Sequence, residues 1–182
     1  MKNSNEIEIA QKLIRCKSIA PNSDTALNIV EKECKSIGFK CTKLKFFEKG
    51  FDAISNLYVE IGNGKPHFSF AGHVDVVPAN KKDWDTDPFA GKIKKNKLIG
   101  RGAVDMKSAV ACFISAAKSY LEENKNFKGK ISMLITGDEE TYAVNGTKKI
   151  LKWLKKKKIR IDNCLVGEPT NLNILGDQIK IG

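Results

Sequence analysis

The sequence predicts an α/β domain in which a mostly parallel, mixed sheet is flanked by helices. Apolar residues recur at helical spacing in four stretches, β-rich runs bounded by Gly, Asn and Pro recur in five, and the two kinds alternate along the chain. At 182 residues and 41% hydrophobic composition, the chain is long enough to bury a sizeable core in one domain or in one domain with an appendage. No repeat, low-complexity linker or internal boundary divides it.

The elements follow in order. Ile7, Ala10, Leu13 and Ile14 mark a first helix, and Ala26, Leu27, Val30, Cys34 and Ile37 mark a second that stops at Gly38. Then the period changes to that of strands. FKCTKLKFF from Phe39, SNLYVEIG from Ser55 and HFSFAGHVDVV from His67 read as three strands, the third of them central. A long polar loop, ANKKDWDTDPFAGKIKKNK, carries Pro88 and Gly91 as breakers. Val104, Ala111, Ile114, Ala117 and Leu121 predict a helix from Met106 to Glu122, followed by the strand KISMLIT. A last helix, Val144 to Lys158, is expected to bury Ile150, Leu151 and Leu154, and DNCLVGEP supplies one more strand. In parallel sheets, ligands bind beyond the carboxyl ends of the strands.

Composition narrows the function classes. No window approaches the roughly 18 to 20 apolar residues of a membrane helix, and MKNSNEIEIA lacks a signal-peptide core, so a soluble, cytoplasmic protein is expected. Five widely spaced cysteines without a C-x-x-C pair read as reduced core thiols. The net charge of +11 invites a nucleic-acid or other anionic partner. Against it, only Arg15, Arg101 and Arg160 are arginines, and the run Lys155 to Lys158 closes a predicted helix where cations suit the dipole. A solvated face is the expectation, with a non-catalytic basic anion-binding module as the alternative of another class. Gly62-Asn-Gly64 and Gly100-Arg-Gly102 lack the further glycine or lysine of nucleotide loops and read as turns.

The strand ends carry the chemistry. His73-Val-Asp75, Asp138-Glu139-Glu140 and Glu168-Pro169 end apolar runs, and Arg101-Gly-Ala-Val-Asp105 leads into a helix. Each has a structural explanation alone: Asp105 as a helix cap, the acids as partners of a helix dipole, His73 as a satisfied strand-end imidazole, Glu168 as a loop residue. Four such coincidences at one rim are less economical than a metal site. Imidazole and carboxylates together suit zinc, and a divalent cation removes the repulsion among three adjacent acids. In H-x-D the two side chains face one way along a strand. Asp75 is therefore expected to hold the second imidazole nitrogen of His73 and fix its orientation.

These blocks resemble the co-catalytic zinc amidohydrolases that include aminoacylases, glutamate-releasing carboxypeptidases, acetylornithine deacetylase and succinyl-diaminopimelate desuccinylase, the last most of all. FAGHVDVVP, WDTDPF, GRGAVDMKSAVA, ITGDEE followed by NGT, and CLVGEPT with LGDQIKIG carry the likeness over about Phe70 to Gly182. The resemblance implies a zinc-peptidase-like catalytic domain and two divalent ions, zinc or alternatively cobalt. It makes His73 and Glu168 terminal ligands of one ion, Glu140 a ligand of the other and Asp105 the bridge between them. Glu139 becomes the general base and acid, with Asp75 assisting, and the Asp105-Met106 peptide is expected to be cis.

The implied reaction is hydrolysis of N-succinyl-LL-2,6-diaminopimelate to succinate and LL-2,6-diaminopimelate, in lysine and diaminopimelate biosynthesis. Another N-acyl amino acid deacylase, such as acetylornithine deacetylase, is the alternative. The partner is a small N-acyl amino acid, with neither nucleic acid nor membrane involved, and the parent enzyme is expected to be a homodimer. In that family a lid or dimerisation domain interrupts the catalytic domain, and the returning chain supplies a second zinc-binding histidine. Here residues 1–182 are expected to be the N-terminal part of the catalytic domain, without the lid or the C-terminal catalytic segment. His67 lies six residues from His73, roughly 20 Å along a strand, too far to replace that ligand. Such a fragment is expected to bind at most one metal well and to turn over little.

Overall fold

The computed structural model of the chain describes residues 5–170 and 173–174. The expected LGDQIKIG tail and the first four residues lie outside the described residues. Helices α1 (Asn5–Arg15) and α2 (Asp24–Ser36) precede strands β1 (Lys40–Phe46), β2 (Ile54–Asn63) and β3 (His67–His73). A hairpin, β4 (Lys92–Lys94) and β5 (Lys97–Ile99), interrupts the path to α3 (Ser108–Glu123). Then come β6 (Gly129–Thr136), α4 (Thr147–Lys156) and β7 (Asn163–Val166).

The five-stranded sheet has the order β1-β2-β6-β3-β7. Its β6, β3 and β7 run parallel, whereas β1 and β2 are antiparallel to their neighbours. The sheet is mixed, and its parallel half is the one that ends in acidic residues and histidine. β6, rather than β3, occupies the middle; β3 is interior but lies one place nearer the β7 edge.

Alternation along the strands divides the core in two, because successive side chains point to opposite faces. Leu57, Val59, Met133, Ile135 and Phe70 pack with α1, α2 and α3 on one face, while Tyr58 and Leu134 meet Ile150 and Leu154 of α4 on the other. α1 buries Ala10, Leu13 and Ile14 of the expected stripe, but its first buried residue is Ile9 rather than Ile7, which is only partly buried. α2 ends in a Schellman arrangement: Gly38 N–H donates to Lys35 O at 3.1 Å and Phe39 N–H to Cys34 O at 3.0 Å.

Several expectations are corrected. Leu151 faces solvent rather than the core, and Val104 is exposed and lies outside α3. The third helix starts at Ser108, because Asp105 and Met106 have non-helical backbone angles within the turn Ala103–Lys107. Asp105 therefore does not cap it. Part of the polar loop folds as the β4–β5 hairpin, turning through Lys95 and Asn96 with φ of 49° and 60°. All five cysteines are free, but Cys112 and Cys164 are exposed, so they are not all core thiols.

Candidate metal centre

The parallel strands bring their carboxyl ends into line. His73, the last residue of β3, pairs in register with Thr136, the last of β6, and Ala71 pairs with Val166 at the end of β7. Ladder-like bonds continue past the ends, from Val74 N–H to Thr136 O at 3.0 Å and from Gly167 N–H to Ala71 O at 3.1 Å. The segments after β3, β6 and β7 thus start from one rim.

Met106 explains why glycine precedes two of the site residues. Its thioether takes the His73 N–H at 3.4 Å. A Cβ on Gly72 would collide with its terminal methyl, and one on Gly167 would lie 2.7 Å from that methyl and 2.5 Å from the Phe70 ring. The methionine side chain is therefore laid beneath both His73 and Glu168. The Asp105-Met106 peptide is cis, as the resemblance implies.

The buried imidazole of His73 is the hub. Its Nε2 lies 3.0 Å from Asp105 Oδ1, 3.5 Å from Glu168 Oε1 and 3.9 Å from Glu139 Oε2. Its Nδ1 lies 3.0 Å from the backbone oxygen of Asp75 and 3.5 Å from Asp75 Oδ1. The Nδ1 proton donated towards Asp75 leaves Nε2 facing the acids. Asp75 is itself buried, and its Oδ2 accepts the N–H groups of Glu139 at 3.0 Å and Glu140 at 2.9 Å. It steadies the acidic loop as well as the imidazole, a second task that the H-x-D spacing does not reveal.

The acidic triplet does not act as one unit. Asp138 turns inward, its Oδ1 accepting from Thr141 Oγ1 at 2.6 Å and Ala143 N–H at 3.2 Å, and its Oδ2 from Asn145 N–H at 2.9 Å. It shapes the loop that presents Glu139 and Glu140 to the rim. Thr141 and Asn145, polar residues three and seven positions on, are the faint sequence signal of this folded-back loop.

Electrostatics reflect the crowding. Burial opposes a proton on His73, but Asp75, Glu168 and Asp105 together outweigh it and raise the imidazole to about 9. Burial first, then Asp105 and Glu139, push the Glu140 carboxyl above its ordinary value, against the pull of His73. Two sets of ligand atoms converge within 4.8 Å of one another: His73, Asp105 and Glu168, and His73, Glu139 and Glu140. One imidazole nitrogen, which can give up its proton to a cation, and a surplus of carboxylate oxygens fit a divalent ion of the zinc type. Among the described residues the buried Asp75 Oδ1 has no hydrogen-bond partner, so the His73 Nδ1 is held by the Asp75 backbone oxygen rather than by the carboxylate that the H-x-D spacing suggests.

The remaining predicted features lie elsewhere. His67 is buried at the opposite end of β3, with Nδ1 2.7 Å from Arg160 O and Nε2 2.8 Å from Ser132 Oγ. The lysines Lys155 to Lys158 are exposed at the end of α4, as a solvated face would be. Among the described residues, no helix is long and apolar enough to cross a membrane.

The sequence profile of Peptidase family M20/M25/M40 matches residues 69–182. A succinyl-diaminopimelate desuccinylase of Pelagibacter ubique is 54% identical over 183 aligned positions, covering 100% of this chain and 48% of that protein. The enzyme of the same name from Parvibaculum lavamentivorans is 50% identical, covering 97% and 44%. The chain spans about half the length of the curated relatives it matches. In fold, it superposes on human carnosine dipeptidase 1 with a TM-score of 0.77 at 21% identity, covering 91% of this chain and 38% of that one. A Sulfolobus solfataricus M20 family metallo-carboxypeptidase, Sso-CP2, gives 0.76 at 24% identity, covering 92% and 38%.

Proposed function

The chain belongs to peptidase family M20/M25/M40, and from that premise we propose that it is the N-terminal part of the catalytic domain of a metal-dependent amidohydrolase. Its substrate is N-succinyl-LL-2,6-diaminopimelate, released as succinate and LL-2,6-diaminopimelate. The observation that carries the chemistry is the convergence of Asp105, Glu139 and Glu168 within 3.9 Å of one buried imidazole nitrogen. The desuccinylase names of relatives at about 50% identity support the substrate.

His73, Asp105 and Glu168 would hold one divalent ion, and Glu140 with Asp105 the second, zinc being the better match to the donor set and cobalt an alternative. When bound, such ions supply Lewis acidity that makes water a stronger acid and polarises an amide carbonyl. Glu139, half-exposed at the rim, accepts a proton from the attacking water and delivers it to the departing amine nitrogen. Asp75 keeps the proton of His73 on Nδ1 and fixes the backbone from which Glu139 projects. A lid, a second histidine and a dimer interface belong to the remainder of a longer, cytoplasmic parent. The present chain is expected to bind one ion well and to turn over little.

The test pairs binding with turnover. In this chain, zinc should be retained and then lost in His73→Ala. In the intact parent, succinyl-diaminopimelate should be cleaved in preference to acetylornithine, and Glu139→Gln should lower kcat by about 10² to 10⁴. A parent that prefers acetylornithine would overturn the substrate, and zinc affinity indifferent to His73 would overturn the site.

A further inference from the structure

We propose that Lys107 is a positioning residue of the site, a buried tie that locks the end of α1 to the two segments presenting Asp75 and Asp105. The inference rests on the metal-site reading above for its purpose, although not for its geometry. Lys107 is fully buried, and its Nζ donates to Leu13 O at 3.0 Å and Cys16 O at 2.9 Å. Leu13 belongs to the last turn of α1 and Cys16 follows it, so the ammonium meets carbonyls at the negative end of a helix dipole.

The route taken by the side chain matters as much as its end. A Cβ on Gly102 would lie 2.9 Å from Lys107 Cδ and 2.8 Å from Val76 Cγ1. Gly102, which opens the turn that carries Asp105, is therefore packed closely against both the lysine stem and Val76 of the segment that carries Asp75. That segment is fastened to the same region: Ser18 Oγ donates to Val74 O at 2.5 Å, and Val76 N–H donates to Ser18 O at 2.9 Å. Three pieces are joined here: Lys107 ties the turn that Gly102 opens to the end of α1, and Ser18 in the following loop ties in Val74 to Val76.

Capping α1 does not by itself require this arrangement. An exposed lysine caps a helix end without the cost of taking an ammonium out of water. From the turn that carries Asp105, Lys107 instead reaches the carbonyls that end α1, and the loop after α1 holds the Asp75 segment through Ser18, where Asp75 in turn holds the N–H groups of Glu139 and Glu140. The N-terminal helix is thereby part of the foundation of a centre whose ligands all come later in the chain.

The experiment is Lys107→Met in this chain, read in two ways. Metal-free amide hydrogen exchange should accelerate at Glu139 and Glu140 by roughly tenfold or more, while Met133 and Leu134 within β6 keep their rates. Zinc affinity, measured by competition with a chromophoric chelator, should fall by about 10- to 100-fold. Uniform acceleration of all amides, or no change at Glu139 and Glu140, would overturn the proposal, since a lysine that merely stabilises the fold gives one of those patterns. If Lys107→Met does not fold, Lys107→Gln, which keeps a donor, carries the same comparison. Absence of zinc binding in the unsubstituted chain would sink the metal reading, while the exchange pattern still decides the role of Lys107.

Discussion

His73 is buried among carboxylates that favour its protonated form, and this makes the metal-free chain pH-sensitive. Its raised value, about 9 against an ordinary 6.5, means that the folded state binds the proton more tightly than the unfolded state. The resulting stability is fully present below pH 6.5 and is lost as pH rises towards 9. Lys107, at about 8, stays charged in both states through the lower part of that window. Chemical denaturation between pH 6.5 and 8 should therefore show falling stability, and His73→Asn should flatten the slope. Asp138 poses a different problem, because its carboxylate satisfies two backbone N–H groups and a hydroxyl. Asp138→Ala should cost roughly 2 to 4 kcal/mol in a urea titration, since it leaves buried donors unmet. Sequence patterns show that D-E-E is unusual but not which acid turns inward. That is decided by hydrogen bonds to residues up to seven positions away, and side-chain type alone does not encode them.

Among the elements, those with a long apolar period were the most legible. Three of the four buried residues of α1, Ala10, Leu13 and Ile14, and the end of α2 at Gly38 follow from spacing and a stop residue. The β4–β5 hairpin was hidden because lysines flank its few apolar residues and its turn uses Lys95-Asn96 instead of Asn-Gly. Apolar spacing sets the start of α3 two residues early, since it carries no trace of the non-helical turn before Ser108. α4 closes with Lys158 in the left-handed region at φ 57°, where Ile159 N–H reaches Leu154 O at 3.0 Å. Lys158→Gly should therefore stabilise the chain by about 0.5 to 1 kcal/mol, visible as a higher Tm. Gly102 is the opposite case. At φ 83° and with Val76 and Lys107 against it, Gly102→Ala should cost about 1 to 3 kcal/mol in denaturant unfolding and weaken zinc binding in the same preparation.

At the scale of the whole molecule, the sequence conveyed layers but not strand order. Alternating strands and helices imply a sheet covered on both faces. Which strand lies in the middle depends on crossovers that leave no local mark, and so β6 took the place expected of β3. The order leaves β7 at one edge, paired with β3 alone among the described residues, with Leu165 50% and Val166 59% exposed. Such an edge invites pairing between copies. Leu165→Lys should reduce concentration-dependent self-association in analytical ultracentrifugation. β3 has a practical consequence of its own. The two imidazoles of the chain, His67 and His73, stand at opposite ends of this one strand, so nitrogen-15 resonance of the rings supplies a probe and its internal standard in a single tube. Adding zinc should displace the signals of one ring and leave its counterpart still, separating occupation of the rim from a disturbance of the entire scaffold.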